Sequence, residues 1–153
     1  MKRETDFEFG RGSNDPVPIL LVEDESDYAF LIQDCLRDPN APYLLRVVES
    51  GEKAIAYLSG EGEFANRTEH PFPFLVLLDL KMPGTGGFGV LRWLLAHPEV
   101  KHKLTVIILS GAQSKKEIEV VYELGAQLFW AKSDTHSLRR ELRRFRESWL
   151  RTN

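Results

Sequence analysis

A run of five apolar residues that stops at a carboxylate constrains the fold more than any other stretch of this chain. Residues 74–78 read FLVLL, Asp79 follows directly, and the turn-forming residues 82–84 come soon after. A short apolar run with such boundaries is typical of a strand buried on both faces, as in parallel sheets. Proline cannot donate to a sheet and glycine permits a turn, so the strand is expected to end here. Asp79 is therefore predicted at the carboxyl end of a central strand, where open α/β sheets bind their ligands.

Length and composition fit one globular domain. The chain has 153 residues, of which 42% are hydrophobic and 28% charged, enough for a sizeable core and unlike a disordered chain. Its formal net charge of -3 argues against general nucleic-acid binding, and its single cysteine, Cys35, excludes an internal disulfide. No apolar run is long enough to span a membrane, and the N-terminus lacks a hydrophobic signal core. We therefore expect a cytoplasmic protein that binds neither membrane nor nucleic acid.

Strand-like and helix-like patterns alternate along the chain. Strands are predicted at residues 19–22, 43–48, 74–78, 104–109 and 126–131. Helices are predicted near residues 28–36, 50–58, 88–97, 114–124 and 134–150. This alternation predicts a flavodoxin-like α/β fold, with a five-stranded parallel sheet in the order 2-1-3-4-5 and five helices on both faces. Residues 1–16 are polar and turn-rich, so we predict a flexible N-terminal tail there and one domain over residues 17–153.

Spacing also predicts which helix faces are buried. The stripe expected to face the core in the first helix consists of Tyr28, Leu31, Ile32, Cys35 and Leu36. In the fourth helix Tyr122 is expected to point inward. The last helix and its end carry Arg139, Arg140, Arg143, Arg144, Arg146 and Arg151. We interpret these arginines as a solvated face rather than a nucleic-acid site.

Four strands deliver polar side chains to one edge of the predicted sheet. In chain order these residues are Glu23, Asp24, Asp79, Ser110 and Lys132. Carboxylates held close together repel unless a cation lies among them, and oxygen ligands favour Mg²⁺ or a similar hard ion. Lys132 adds a mobile positive charge and Ser110 a hydroxyl group. Metal, ammonium and hydroxyl together suit phosphoryl transfer, with Asp79 as the nucleophile that forms an aspartyl phosphate.

Several sequence motifs resemble those of a two-component response-regulator receiver domain. They are ILLVED at residues 19–24, LLDLKMPG at 77–84, ILSGA at 108–112, and Lys132 at a strand end. The resemblance covers nearly the whole chain after Pro18. It implies a protein that is not an enzyme, and that accepts a phosphoryl group from a sensor histidine kinase onto Asp79 with Mg²⁺ bound. Its output is then expected to pass through protein contact.

The resemblance also implies roles for individual residues. The implied metal-binding set is Glu23, Asp24, Asp79 and Lys81. Within it, Asp24 matches the direct ligand, Glu23 the companion that usually acts through water, and Lys81 the residue that binds through its backbone carbonyl. Ser110 and Lys132 match the residues that grip the phosphoryl group. Ser110 and Phe129 match the pair that moves on activation, with the aromatic ring swinging inward.

Other features point to a subgroup of receivers. Ser133 follows Lys132, where most receivers have proline, and the loop after Leu58 is long. With the ending SWL at residues 148–150, these features are similar to single-domain regulators paired with bacterial phytochromes. A bacteriophytochrome is thus one candidate for the partner kinase. The resemblance further implies a possible homodimer through the last strand and its neighbouring helices.

The sequence also allows two other functions, and one stretch of it matches a competing motif. A receiver-shaped interaction module that takes no phosphate is one alternative, and a phosphohydrolase with an aspartate nucleophile is the other. Lys81 stands two residues after Asp79, where such hydrolases carry a second aspartate, which argues against the hydrolase. Residues 84–89 match the dinucleotide pattern G-x-G-x-x-G, but we interpret them as a flexible loop before a helix.

Overall fold

A computed structural model describes residues 15–111 and 114–151. The predicted flexible tail, residues 1–16, lies outside this part of the chain except for its last two residues. The proposed domain boundary at residue 17 therefore stays a prediction. Residue 17 is, however, the first residue of the first strand.

The strands form one parallel sheet in the order β2-β1-β3-β4-β5, which confirms the predicted topology. Their bounds are β1 Val17–Val22, β2 Tyr43–Val48, β3 Leu75–Asp79, β4 Thr105–Ser110 and β5 Leu128–Ala131. The organising strand β3 lies in the middle, between β1 and β4. All five of its residues are buried, as expected for a strand covered on both faces.

Six α-helices are present in the described residues, one more than predicted. They are α1 Ser26–Cys35, α2 Gly51–Ser59, α3 Gly86–Leu95, α4 Pro98–Lys101, α5 Lys115–Glu123 and α6 Thr135–Arg151. The additional helix is α4, a single turn whose first residue is Pro98. Proline suits the first position of a helix because its missing N–H has no partner to lose there. Within the described residues no helix combines the length and apolar character needed to cross a bilayer.

Two apolar layers cover the sheet, and alternate strand residues feed each of them. On β3, Val76 and Leu78 join the layer with α2, α3 and α5, whereas Leu75 and Leu77 join the layer with α1 and α6. Successive side chains on a strand point to opposite faces, so this division follows directly from the pleat. The carboxyl edge of the sheet is therefore the place where its polar residues can meet.

Two predictions of inward-facing residues are wrong. Leu31 is 46% exposed and Tyr122 is 45% exposed. The buried positions next to them are taken by Ala29 in α1 and Val121 in α5. Each helix packs on the sheet through a narrow stripe of residues. The spacing of apolar residues along the sequence does not show which edge of that stripe contacts the sheet. Phe30, which the spacing leaves outside the stripe, is exposed.

Arg146 is buried, so the interpretation of the last helix as a wholly solvated arginine face is wrong at this residue. Its side chain is 4% exposed, and one guanidinium nitrogen donates to the carbonyls of Asp15 at 2.9 Å and Pro42 at 2.6 Å. The guanidinium also lies 6.0 Å from the centre of the Tyr43 ring. Arg146 thus connects α6 to the chain entering β1 and β2.

The long loop between α2 and β3 is ordered around Arg67. Its guanidinium donates to the carbonyls of Tyr57, Leu58 and His70 at 2.8–3.2 Å. The first two carbonyls belong to the last turn of α2, where a positive charge is favourable. Phe64, in the one-turn 3₁₀ helix Gly62–Phe64, packs against the Tyr57 ring at 5.0 Å. The loop therefore forms a small lobe packed on α2.

The buried arginine provides a test of the fold. Replacing Arg146 with alanine removes the buried guanidinium that donates to both carbonyls, and we expect the free energy of unfolding to fall by about 2–4 kcal/mol. Urea denaturation measures this change. Arg144→Ala is the control, because Arg144 is largely exposed and pairs only with Glu141 at 3.7 Å. It should cost less than about 0.5 kcal/mol. Equal losses in the two variants would contradict the anchoring role.

Candidate functional site

The registers of the strands bring the predicted site residues to one edge. Val22 of β1 lies beside Leu78 of β3, so the next residues, Glu23 and Asp79, follow side by side. Asp79 is paired with Leu109 of β4, and Ser110 is paired with Ala131 at the end of β5. The residue after Ala131 is Lys132. Four strands therefore end in polar groups at the same rim.

Three carboxylates meet at this rim. Glu23, Asp24 and Asp79 each offer an oxygen atom, and these atoms all lie within 4.8 Å of one another. Glu23 is 1% exposed and Asp79 3% exposed, whereas Asp24 faces solvent. Negative charges this close and this buried repel strongly unless a cation neutralises them. Because every donor is oxygen, the set suits a hard divalent cation such as Mg²⁺, with Asp24 open to the solvent side.

Lys132 places an ammonium group among the carboxylates. Its Nζ lies 2.7 Å from Glu23 Oε1, 3.3 Å from Asp79 Oδ2 and 3.4 Å from Glu25 Oε1. Burial opposes the positive charge, but the hydrogen bond with Glu23 and the charge of Asp79 outweigh it and raise the pKa of Lys132. The ammonium is thus held charged beside Asp79. The peptide bond after it is trans, as are all others in the described residues.

Within this cluster, the folded structure favours the protonated form of Glu23. Burial raises the pKa of its carboxyl group to about 7, and the charge of Asp79 adds to the rise. The hydrogen bonds from Lys132 and from the backbone N–H of Glu25 act in the opposite direction without cancelling it. Without a metal ion, a proton on Glu23 relieves part of the crowding. A divalent cation and that proton therefore compete for the same site.

The loop after β3 holds Asp79 in place. The backbone N–H of Lys81 donates to Asp79 Oδ1 at 3.2 Å. A β-carbon on Gly87 would lie 2.5 Å from the Asp79 carbonyl oxygen, so only glycine lets α3 pack this closely against the strand end. Gly86, Gly87 and Gly89 lie inside α3. The interpretation of these glycines as a flexible loop is therefore wrong. Close packing requires Gly87, whereas Gly86 has a φ of +61°, which favours glycine.

The remaining predicted residues surround this centre. Ser110 is fully buried at the end of β4, and its carbonyl accepts the Lys132 backbone N–H at 3.0 Å. Phe129 is half-buried on β5, paired with Ile108 and packed against the layer that includes α3 and α5. The Lys81 ammonium points away from the cluster, toward Glu117 of α5 at 3.7 Å. Residues 112 and 113, which follow Ser110 and Gly111, lie outside the described chain.

Two residues near the site were not predicted to belong to it. Glu25 contacts the Lys132 ammonium, and its position directly after the Glu23–Asp24 pair was a signal available in the sequence. Tyr28 lies beneath the same ammonium, 4.6 Å from ring centre to Nζ, and its hydroxyl donates to the Lys132 carbonyl at 3.3 Å. Burial raises the pKa of this phenol to about 12. The sequence pattern assigned Tyr28 only to the core.

Comparison with known proteins agrees with this geometry. Residues 19–143 match the family described as the response regulator receiver domain. The curated protein response regulator Rcp1 from Synechocystis sp. (strain ATCC 27184 / PCC 6803 / Kazusa) is 31% identical over 141 residues. That match covers 92% of this chain and 93% of Rcp1.

Two solved structures are similar over nearly the whole chain. The phosphorylated cyanobacterial phytochrome response regulator RcpA is 32% identical to this chain, with a TM-score of 0.75. The match covers 91% of this chain and 97% of RcpA. The Mn²⁺-bound form of Rcp1 is 30% identical to this chain, with a TM-score of 0.73. The match covers 90% of this chain and 97% of the Rcp1 structure. The resemblance seen in the sequence is thereby confirmed. The chain belongs to the family of response regulator receiver domains, the phosphorelay proteins of two-component signalling.

Proposed function

We propose that Asp79 is the residue of this receiver that accepts the phosphoryl group, and that a sensor histidine kinase donates it. The observation that carries the proposal is the position of the Asp79 carboxylate, 3.3 Å from the Lys132 ammonium and within 4.8 Å of two other carboxylates. A nucleophile in phosphoryl transfer needs nearby positive charge to stabilise the oxygens of the transferred group. Lys132 supplies such a charge.

The transfer is a direct exchange of bonds at phosphorus. An Asp79 carboxylate oxygen forms a bond to phosphorus while the bond from phosphorus to the donor imidazole nitrogen breaks. The electron pair of the broken bond stays on that nitrogen, and an acyl phosphate remains on Asp79. Lys132 then pairs with a phosphoryl oxygen in place of the carboxylate, and the Ser110 hydroxyl donates to another. Each of these residues is already at the rim of the sheet.

Glu23, Asp24 and Asp79 would hold Mg²⁺ together with the backbone carbonyl of Lys81. Support comes from the oxygen-only donor set and from the burial of Glu23, which raises the pKa of its carboxyl group and makes its charged form costly without a counter-charge. The similar protein Rcp1 has been solved in a form that holds Mn²⁺, a related divalent cation. When bound, Mg²⁺ neutralises the cluster and the incoming phosphoryl oxygens. Asp24, on the solvent side, is the ligand an entering ion meets first.

The proposed switch joins Ser110 to Phe129. Both residues lie on the adjacent strands β4 and β5, and Ser110 is buried while Phe129 is half-buried. Once Ser110 turns toward the phosphoryl group, it vacates space that the Phe129 ring can enter. This movement changes the surface around β5 and its neighbouring helices. We propose that output runs through protein contact on that surface, including contact with a second copy of the chain.

We propose a phytochrome-type sensor kinase as the partner. RcpA is described as a phytochrome response regulator, and the match to Rcp1 spans 93% of that protein. This coverage supports a partner of the kind that such regulators have, and we propose neither a nucleic-acid nor a membrane target. A partner kinase with a catalytic domain inside the cell implies a cytoplasmic site of action.

The two alternative functions have less support. The alternative phosphohydrolase, with an aspartate nucleophile, would use a second aspartate two residues after that nucleophile, and in this chain Lys81 stands at that position with its side chain paired to Glu117. A receiver that takes no phosphate would not need a buried aspartate beside a lysine, since burying this charge costs free energy. We therefore propose a protein that is phosphorylated and has no enzymatic turnover of its own.

Phosphorylation by a small donor tests the acceptor. Incubation with acetyl phosphate and Mg²⁺ should give an acid-stable, hydroxylamine-sensitive phosphate on the wild type and none on Asp79→Asn. Asp27→Asn, an exposed carboxylate in the first turn of α1, should be labelled like the wild type. An unlabelled wild type would favour the non-phosphorylated module. Label on Asp79→Asn would identify another acceptor, and steady release of phosphate over many turnovers would favour the hydrolase.

A second test concerns the metal. Because a cation that binds only the folded protein stabilises it by mass action, Mg²⁺ at about 100 times its Kd should add about 2.7 kcal/mol to the free energy of unfolding. Thermal unfolding followed by circular dichroism measures the rise in Tm. Asp24→Ala should show a much smaller rise, whereas Asp27→Ala should respond like the wild type. An equal response in Asp24→Ala would refute the ligand assignment.

A third test uses pH in the metal-free protein. The pKa of Glu23 is about 7 in the folded state against an ordinary value of 4.5, so the folded state holds this proton more tightly than the unfolded one. The resulting stabilisation of the folded state is complete below about pH 4.5 and is lost as the pH rises through 7. Urea unfolding in EDTA should therefore show stability falling over this range. The fall should be smaller in Glu23→Gln, which cannot ionise, and parallel curves would disprove the assignment.

A further inference from the structure

We propose that Tyr28 is a positioning residue, which holds Lys132 in the place where it can pair with the phosphoryl group on Asp79. The inference rests on the proposed function of Asp79. It depends on two contacts that one tyrosine makes with one lysine. The ring lies under the ammonium, and the hydroxyl donates to the backbone carbonyl of the same residue.

The ring contact restrains the charged end of Lys132. Nζ lies 4.6 Å from the centre of the Tyr28 ring, well within the range in which an aromatic face attracts a cation. A lysine side chain has four rotatable bonds and loses much conformational freedom when it is held in one position. The ring reduces this loss during the reaction by restraining the ammonium beforehand. Because the ring is neutral, it restrains the ammonium without adding a negative charge that would compete with the phosphoryl oxygens for Lys132.

The carboxylates that contact Lys132 cannot hold its ammonium in place throughout the reaction. Glu23 and Asp79 hold Nζ at 2.7 and 3.3 Å in this structure. Both are proposed metal ligands, and Asp79 also changes its charge distribution when it is phosphorylated. Glu25 contacts Nζ at 3.4 Å, but its side chain is 70% exposed and weakly restrained. Among the described contacts of the Lys132 ammonium, Tyr28 is therefore the one that is both partly buried and left chemically unchanged by the reaction.

The hydroxyl contact restrains the other end of the residue. The Tyr28 hydroxyl donates to the Lys132 carbonyl at 3.3 Å, and the Lys132 N–H donates to the Ser110 carbonyl at 3.0 Å. The backbone of Lys132 is thus tied to α1 on one side and to β4 on the other. Tyr28 itself is fixed by its neighbours in α1, since Ala29 and Ile32 are buried against the sheet. The lysine is consequently restrained at its backbone and at its charged end by one side chain.

Two substitutions separate these contacts. Tyr28→Phe keeps the ring and removes the hydroxyl, whereas Tyr28→Leu removes both. The initial rate of phosphorylation by acetyl phosphate with saturating Mg²⁺ should fall about three- to tenfold in Tyr28→Leu, the loss expected for one cation–π contact. Tyr28→Phe should lie between Tyr28→Leu and the wild type. Rates for Tyr28→Leu equal to the wild type would overturn the proposal.

A matched variant removes the effect of stability alone. Tyr43 is also partly buried and also lies under a cation, the Arg146 guanidinium, but it is on the edge strand β2, away from Asp79. Tyr43→Leu should lose stability and keep the wild-type rate. All variants are assayed at a temperature where circular dichroism shows them folded. An equal loss of rate in Tyr43→Leu would show that the effect of Tyr28 is merely structural, and this also would overturn the proposal.

A spectroscopic measurement checks the contact without phosphorylation. Ring currents should shift the ε-methylene protons of Lys132 upfield in NMR spectra, because this carbon is bonded to the nitrogen that lies over the ring. The signal is assigned by its loss in Lys132→Arg. The shift should persist in Tyr28→Phe and vanish in Tyr28→Leu, and its absence from the wild type would overturn the proposal. A wild type that shows the shift but takes no phosphate would instead refute the function of Asp79, and the role of Tyr28 with it.

Discussion

The close approach of three carboxylates is the constraint on which the rest of the site depends. Glu23, Asp24 and Asp79 sit within 4.8 Å of one another, and two of them have almost no contact with solvent. Such an arrangement opposes folding unless other parts of the molecule stabilise it. Lys132 offsets part of the repulsion directly, and the two apolar layers hold the strand ends together despite the remainder. A crowded anionic site of this kind suits a bound cation.

The surroundings of the cluster limit how it can relax. Gly87 lets α3 approach the Asp79 backbone, so the carboxylate cannot retreat with its strand, and Ser110 and Lys132 are joined through their backbones. In the proposed switch, movement is confined to the Ser110 side chain and the Phe129 ring. The proposed acceptor is thus held in a fixed geometry, and the groups proposed to move lie on β4 and β5.

Most of the fold could be predicted from the sequence because buried parallel strands leave a simple apolar signature. The runs ending at Val22 and Asp79 identified both strands and the functional edge. Side-chain packing was harder, since the spacing that defines a helical stripe does not say which of its sides meets the sheet, as Leu31 and Ala29 illustrate. Arg146 and Tyr28 were missed for a related reason. Each contacts residues more than 100 positions away, and nothing in a local pattern identifies such a partner.

The anchoring of Arg146 also bears on how the chain assembles as it is made. Its guanidinium binds the carbonyl of Asp15 across a separation of 131 residues and that of Pro42 across 104. The ribosome therefore releases the donor long after both acceptors have emerged. A contact between positions so far apart in the chain forms late in folding, because closing a long loop costs conformational entropy before the contact rewards it. The ordering of the segments that enter β1 and β2 is therefore expected to depend on the docking of α6 against the apolar layer it shares with β1.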